Sequence, residues 1–271
     1  MVIGRLCQAE RGWLSPFTVD CLLFTCYTAF TMARRKFIGY LGCPTRDTMA
    51  GVGRKYPYDE FIDLDIDMNA PPSGLVPDGY CQIVTNIVDN AIYLKKDLRI
   101  IVASVGEDKC DGGRFAALIL RDLGFPVIEV RNTETERQPL MIAISGLPLL
   151  EKVNRIMDGV RVPRTKASRR AKPTHGFWGV PPHDLRLLDL FPNTTHVYGW
   201  TRCVEAGVPA DLDLEVFVDP GVPTVFYAQT FCQKNVLAKY LADKHDGLYV
   251  DCDGPMTNSL IAKVEAFIKM A

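Results

Sequence analysis

LRIIVASVGEDKCDGGRFAALILRDLGFPVIEV, residues 98–130, decides the fold. Residues 98–105 are almost continuously apolar, as a strand covered on both faces must be. Residues 113–123 carry a helical pattern that stops at Gly124, and 126–130 open a second strand. Strand, loop, helix and strand in that order form one βαβ unit, which requires parallel strands.

The same alternation continues in both directions. Upstream, 36–42 (KFIGYLG) reads as a strand closed by Cys43-Pro44, and 61–66 as a second strand. A helix over 77–94 has its apolar stripe at Ile83, Ile87, Val88 and Ile92. Downstream, a helix is expected over 147–157, then a strand over 174–180 and a helix over 184–190. Strands follow over 195–200, 214–218, 223–229 and 247–250, with helices over 234–244 and 258–270. The expected class is α/β, with two Rossmann-like domains whose mainly parallel sheets face a shared cleft. The first domain is expected over 32–160 and the second over 174–271. Between them, residues 161–173 form a basic linker containing Arg161, Arg164, Lys166, Arg169, Arg170 and Lys172.

Residues 1–31 admit two readings. Arg5 and Arg11 precede a short apolar run ending near Ala29, in the order of a signal peptide. Alternatively, Met32-Ala33-Arg34-Arg35-Lys36 before the first strand is a natural start, and 1–31 are an extension outside the fold.

A length of 271 residues is enough for two modest cores, and 48% hydrophobic with 23% charged residues is an ordinary globular composition. A formal net charge of −1 gives no general attraction to polyanions, so neither nucleic acid nor membrane is an expected partner. No stretch reaches the roughly 20 apolar residues of a membrane span. Nine unevenly spaced cysteines do not make a secreted disulfide framework, so reduced thiols and a cytoplasmic location are expected.

Five of those cysteines, Cys43, Cys110, Cys203, Cys232 and Cys252, fall where an expected strand passes into a loop. In open parallel sheets, ligands bind beyond the carboxyl ends of strands. Thiols there can meet in space although distant in sequence, and thiolates select iron–sulfur clusters, zinc or copper(I). No CxxC pair is present, so any thiolate site is assembled from single cysteines on separate loops. Cys81, inside the helical pattern, reads as a small buried hydrophobe.

Residues 98–130 resemble the first cluster-binding segment of the 2-hydroxyacyl-CoA dehydratase and benzoyl-CoA reductase family, through the strand, the Cys110-Asp111 loop, and the helix and strand that follow. Residues 175–203 (HGFWGVPPHDLRLLDLFPNTTHVYGWTRC) look like that family's second segment, and 223–269, with VFYAQTFCQKN and the closing VEAFI, its C-terminal one. The resemblance implies two Rossmann-like domains around a [4Fe-4S] cluster held by Cys110, Cys203 and Cys232. Cys43 is expected to line the pocket, as a candidate further ligand. Asp111 and Gly112, directly after Cys110, are expected to approach the cluster through backbone amides.

The activity implied is dehydration or reduction of an acyl-CoA thioester. One low-potential electron enters the thioester carbonyl to give a ketyl radical. Implied partners are a second family subunit and an ATP-dependent activator. His175 and His183 are candidates for proton transfer, and Glu205 and Gln233 for contacts behind the ligands. Trp178, Trp200, Phe226 and Phe231 are candidates for keeping the site dry. The family's long helical insertion shrinks here to 132–172. That favours the alternative, a cluster-bearing electron-transfer or cofactor-assembly protein without acyl-CoA activity. Residues 104–113 (SVGEDKCDGG) are also similar to a cobalamin-binding loop, but Cys110 stands where the cobalt-ligating histidine would be, so a corrinoid is not the expected cofactor.

Overall fold

The computed structural model describes residues 35–106, 109–159, 169–209 and 211–270. The extension 1–31 and most of the basic linker, 161–168, lie outside the described residues.

Four strands, β1 (Phe37–Leu41), β2 (Glu60–Asp63), β3 (Leu98–Ser104) and β4 (Val127–Val130), form the first sheet. They alternate with α1 (Arg46–Lys55), α2 (Gln82–Tyr93) and α3 (Asp111–Asp122). Every pairing is parallel, in the order β2-β1-β3-β4. The local chemistry explains the boundaries. Thr45 caps α1 by accepting the Thr48 N–H, with Asp47 in its first turn and Arg54 and Lys55 in its last. After α3 the chain turns at Gly124, whose φ of 82° favours glycine.

The second sheet comprises β5 (Gly176–Gly179), β6 (His196–Tyr198), β7 (Thr224–Ala228) and β8 (Leu248–Asp251). Its order is β6-β5-β7-β8, again wholly parallel. Around it lie α4 (Leu149–Asp158), a 3-10 helix (Leu185–Leu190), α5 (Trp200–Ala206), α6 (Leu212–Val216), α7 (Lys234–Lys244) and α8 (Asn258–Met270). The fold is therefore α/β, with two four-stranded parallel sheets flanked by helices, as the alternation predicts.

Each sheet is covered on both faces. Ile101 and Ala103 of β3 pack on α2 and α3 through Val84, Ile87, Val88, Ala116 and Leu120. Ile38, Tyr40, Ile100 and Val102 meet Met49 and Val52 of α1. In the second sheet Phe177, Val197, Val225 and Tyr227 share a core with α4 and α8, while Trp178, Tyr198 and Phe226 pack on α7. Met157, Trp200 and Val204 also reach the first sheet's core, and residues 35–271 form one compact unit.

Three details differ from the sequence reading. First, α4 packs on the second sheet although it precedes the expected linker. Ile142, Ala143, Leu149, Val153 and Ile156 all belong to that core. Arg170, of the described end of the linker, pairs with Ser145 in an antiparallel bridge. Second, 214–218 is not a strand, because Asp211 accepts the Leu214 N–H at 2.9 Å and starts α6 instead. Third, the strand expected over 195–200 ends at Tyr198. Gly199, at φ 71°, redirects the chain into α5, which therefore contains Cys203.

Lys152, fully buried in α4, donates through Nζ to Asn193 O at 2.8 Å and to Thr195 O, with no carboxylate on it among the described residues. Burial pushes this ammonium down to about 8. The folded protein thus gives up the proton at a lower pH than the unfolded chain, and stability rises with pH between those two values. Relative to Lys152→Met, wild type is expected to gain stability from pH 8 to 10.5, by at most about 3 kcal/mol. Urea denaturation at stepped pH checks this, and a difference that stays flat across that window would refute it.

Candidate metal centre

In both sheets the chain leaves the first strand for a neighbour on one side and then returns to the other side. This puts a topological switch point between β1 and β3, and another between β5 and β7. Loops diverge there, and ligands settle beyond the strands' carboxyl ends. The loop after β3 carries Lys109 and Cys110, and the loop after β7 carries Gln229 and Cys232. Contacts link the two sets of loops. Cys81 Sγ donates to Gln229 Oε1 at 3.6 Å, and His183 Nε2 lies 3.7 Å from Asp67 Oδ2.

Three thiols gather here: Cys81, Cys110 and Cys232. Cys81 is the N-cap residue of α2 and Cys110 that of α3, and neither uses its side chain to cap. Cys232 immediately precedes Gln233, the N-cap of α7. Each sulfur therefore stands at a helix start, where free N–H groups and the helix dipole favour negative charge. The backbone N–H groups of Ile83 and Val84 lower the Cys81 thiol, and that of Lys234 lowers the Cys232 thiol.

Burial works against them and raises both thiols above the ordinary cysteine range. The charge of Cys110 adds to the rise at Cys81, and those of Cys81 and Cys110 add to the rise at Cys232. Gly112 explains how two of these caps come together. A Cβ there would lie 2.8 Å from Val84 Cγ2 and 3.5 Å from Cys110 Sγ, so only glycine lets α2 and α3 close up behind the thiols.

Comparison with family models and with curated proteins gives no match.

The three thiols are not packed like the ligands of one ion. Among the described residues, no three His, Cys, Asp or Glu side chains are close enough to hold a single metal ion. A tetrahedral zinc site needs sulfurs about 3.8 Å apart, from Zn–S bonds of about 2.3 Å. Cysteines that bind different irons of one cluster stand farther apart.

Cys203 does not join this group. It is fully buried in α5 beside Ala206, Val208 and Leu214, with Sγ directed at Asp211 O at 3.7 Å. Burial pushes its thiol up to about 12, and the charges acting on it are those of Glu215, Lys234, Asp211 and Arg202. Cys43 is buried in the first sheet's core and lines a cavity of about 780 Å³ together with Arg46, Arg155 and Val204. None of Cys81, Cys110 and Cys232 lines that cavity. Cys252 donates to Gly254 O at 3.2 Å.

The other expected site residues separate by location. Asp111 is exposed and paired with Arg114 at 2.9 Å. His175 lies at the amino end of β5, with Nε2 on Ile268 O at 3.1 Å, so it is at the wrong end of the sheet for this centre. His183 is on the correct loop, with its ring Nε2 3.7 Å from Asp67 Oδ2. Glu205 accepts three backbone N–H groups, of Met141, Ile142 and Ala143, and holds the chain rather than a ligand. Trp178 and Phe226 are core residues on the α7 side, Trp200 packs between the two halves, and Phe231 is exposed.

Sequence reasoning missed two residues of this centre, Cys81 and Asp65. Cys81 was hidden because its helix begins later than expected. The turn Pro77-Asp78-Gly79 before it marks Cys81 as a cap position rather than an interior one. Asp65, just beyond β2, accepts the Gly42 N–H at 2.9 Å. Burial, and then the neighbouring Asp63, raise its carboxyl well above the ordinary range, against Lys109, which precedes Cys110.

Proposed function

We propose that this chain is an iron–sulfur protein that holds one [4Fe-4S] cluster through Cys81, Cys110 and Cys232 and serves low-potential one-electron chemistry. The observation that carries this reading is the meeting of three thiols, from loops far apart in sequence, at three helix starts. Compared with the set implied by the resemblance, Cys81 takes the place of Cys203. The donor set suits such a cluster: three soft sulfur ligands at helix starts, with backbone N–H groups that favour the thiolate form at two of them.

When bound, the group would supply a site that gains or gives one electron, with one iron free of protein sulfur. The chain's part is to bind, orient and neutralise. The helix starts of α2, α3 and α7 offset the negative charge of thiolates and sulfides. Asp65 retains its proton to higher pH than an ordinary carboxyl and can store it beside Lys109. His183, 3.7 Å from Asp67, is a candidate for proton transfer on the adjoining loop. On the family resemblance, the electron acceptor is an acyl-CoA thioester.

A second reading, electron transfer without a thioester substrate, is favoured by the exposure of Cys110 and by the cavity that none of the three thiols lines. An exposed ligand gives electrons a short path to another protein.

Anaerobic purification followed by iron and sulfide analysis tests the shared claim. The expected result is a brown protein with about four irons and four sulfides per chain, the [4Fe-4S] stoichiometry. A colourless, iron-free preparation after anaerobic reconstitution would sink it. Adding acyl-CoA thioesters to the reduced protein then separates the readings. A changed EPR spectrum supports the thioester enzyme, and no response to any thioester supports the carrier.

A further inference from the structure

Gln229 directly follows β7 in the run FYAQTFC and is 2% exposed. A buried primary amide carries two N–H donors and one carbonyl acceptor, and each needs a partner. The main chain of Gln229 accepts the Cys232 N–H at 3.0 Å. Its side-chain Oε1 accepts from Cys81 Sγ at 3.6 Å. One residue thus touches two of the three thiol-bearing segments, from the opposite sheet to Cys81.

That contact suits a protonated thiol, which has a hydrogen to donate. A ligating sulfur has none, and a carbonyl oxygen facing it would be repelled. Rotation of the amide about its last torsion exchanges Oε1 for Nε2, which replaces repulsion with an N–H···S bond at no cost in volume. The two orientations are nearly isosteric, and the hydrogen-bond partner selects between them.

Resting on the cluster reading above, we infer that Gln229 sets the electron affinity of the centre by donating its side-chain N–H to the Cys81 sulfur. On reduction one electron enters from an external low-potential reductant such as dithionite. The total charge of the centre falls by one, and no bond between chain and centre forms or breaks. A donor to sulfur stabilises the more negative, reduced state, so the bond raises the potential.

The test is redox titration of the loaded protein, wild type against Gln229→Met, which keeps the length and volume but has no donor. At a fixed poise, Gln229→Met is expected to show about a tenfold lower ratio of reduced to oxidised protein, a shift of about 59 mV to more negative potential for one electron. Gln229→Glu, with a carboxylate in the same place, should shift further in the same direction. A second measurement needs no variant. Wild type labelled with ¹⁵N at glutamine side chains should show nitrogen hyperfine coupling in the pulsed EPR spectrum of the reduced state. If Gln229→Met loses its iron, absence of coupling overturns the role, and coupling that survives in labelled Gln82→Met and Gln233→Met, which remove the other amides beside the thiols, supports it.

An iron-free wild type overturns the cluster reading and this role with it. A loaded wild type without nitrogen coupling, or with the potential of Gln229→Met, overturns the role of Gln229 and leaves the cluster standing.

Discussion

Replacing Cys81, Cys110 or Cys232 singly with alanine is expected to remove nearly all bound iron, whereas Cys203→Ala retains it. Loss of a partner behind a ligand already costs about 10- to 100-fold in metal affinity, and loss of the ligand itself exceeds that. Each thiol comes from a different segment and stands at the start of a different helix, so none is in place to replace another. Cys203, by contrast, fills a small apolar space with Ala206, Val208 and Leu214. Its truncation removes only one buried sulfur, a loss of about 1 kcal/mol by the scale for small core deletions. Cys43→Ala serves as a second control from the first sheet's core. Iron and sulfide analysis of the five variants, purified anaerobically, gives the answer. Full iron in Cys81→Ala together with loss in Cys203→Ala would restore the set implied by the resemblance and refute the one drawn from the geometry.

That exchange of one cysteine for another marks where sequence reading reaches its limit. The elements with the strongest periodicity were legible: the helix over 234–244 and the one over 258–270 match α7 and α8 residue for residue. The buried run in β3 was equally plain. Short elements were not. Residues 214–218 (LEVFV) are rich in strand-forming residues, yet Asp211, by accepting the Leu214 N–H, caps a helix there. Cys203 seemed to end a strand because nothing in THVYGWTRC announces that Gly199 adopts a left-handed conformation. That cysteines at carboxyl ends could converge follows from the topology of parallel sheets. Which loops reach across depends on loop length and on close helix packing, as at Gly112 against Val84, and neither leaves a periodic trace. The core that residues 142–157 join was hidden for a related reason. Residues 142–157 are amphipathic in a way that suits either sheet, and only tertiary packing assigns them to the second.

Glu205→Ala is expected to give the largest loss of stability of any single replacement proposed for this chain. Glu205 lies in α5, 2% exposed, two residues after Cys203. Its carboxylate accepts N–H groups from Met141 at 2.7 Å, Ile142 at 2.6 Å and Ala143 at 2.8 Å. These residues run in irregular backbone, and Ala143 O in turn accepts the Val197 N–H at 3.0 Å beside β6. The carboxylate thus does for this segment what a neighbouring strand would do. Alanine leaves two buried donors, of Ile142 and Ala143, without an acceptor at about 1–3 kcal/mol each, and Met141 turns to water, so a loss of about 2–6 kcal/mol is expected. A typical domain has only about 5–15 kcal/mol in total. Glu205→Gln should fall between, because its oxygen still accepts while its NH₂ group faces donors. Urea denaturation gives the order wild type, Gln, Ala in falling midpoint, and hydrogen exchange should accelerate first at 141–143. A glutamate acting on substrate would give the opposite pattern: Glu205→Gln would lose activity at unchanged midpoint, and the backbone-anchoring role would be refuted.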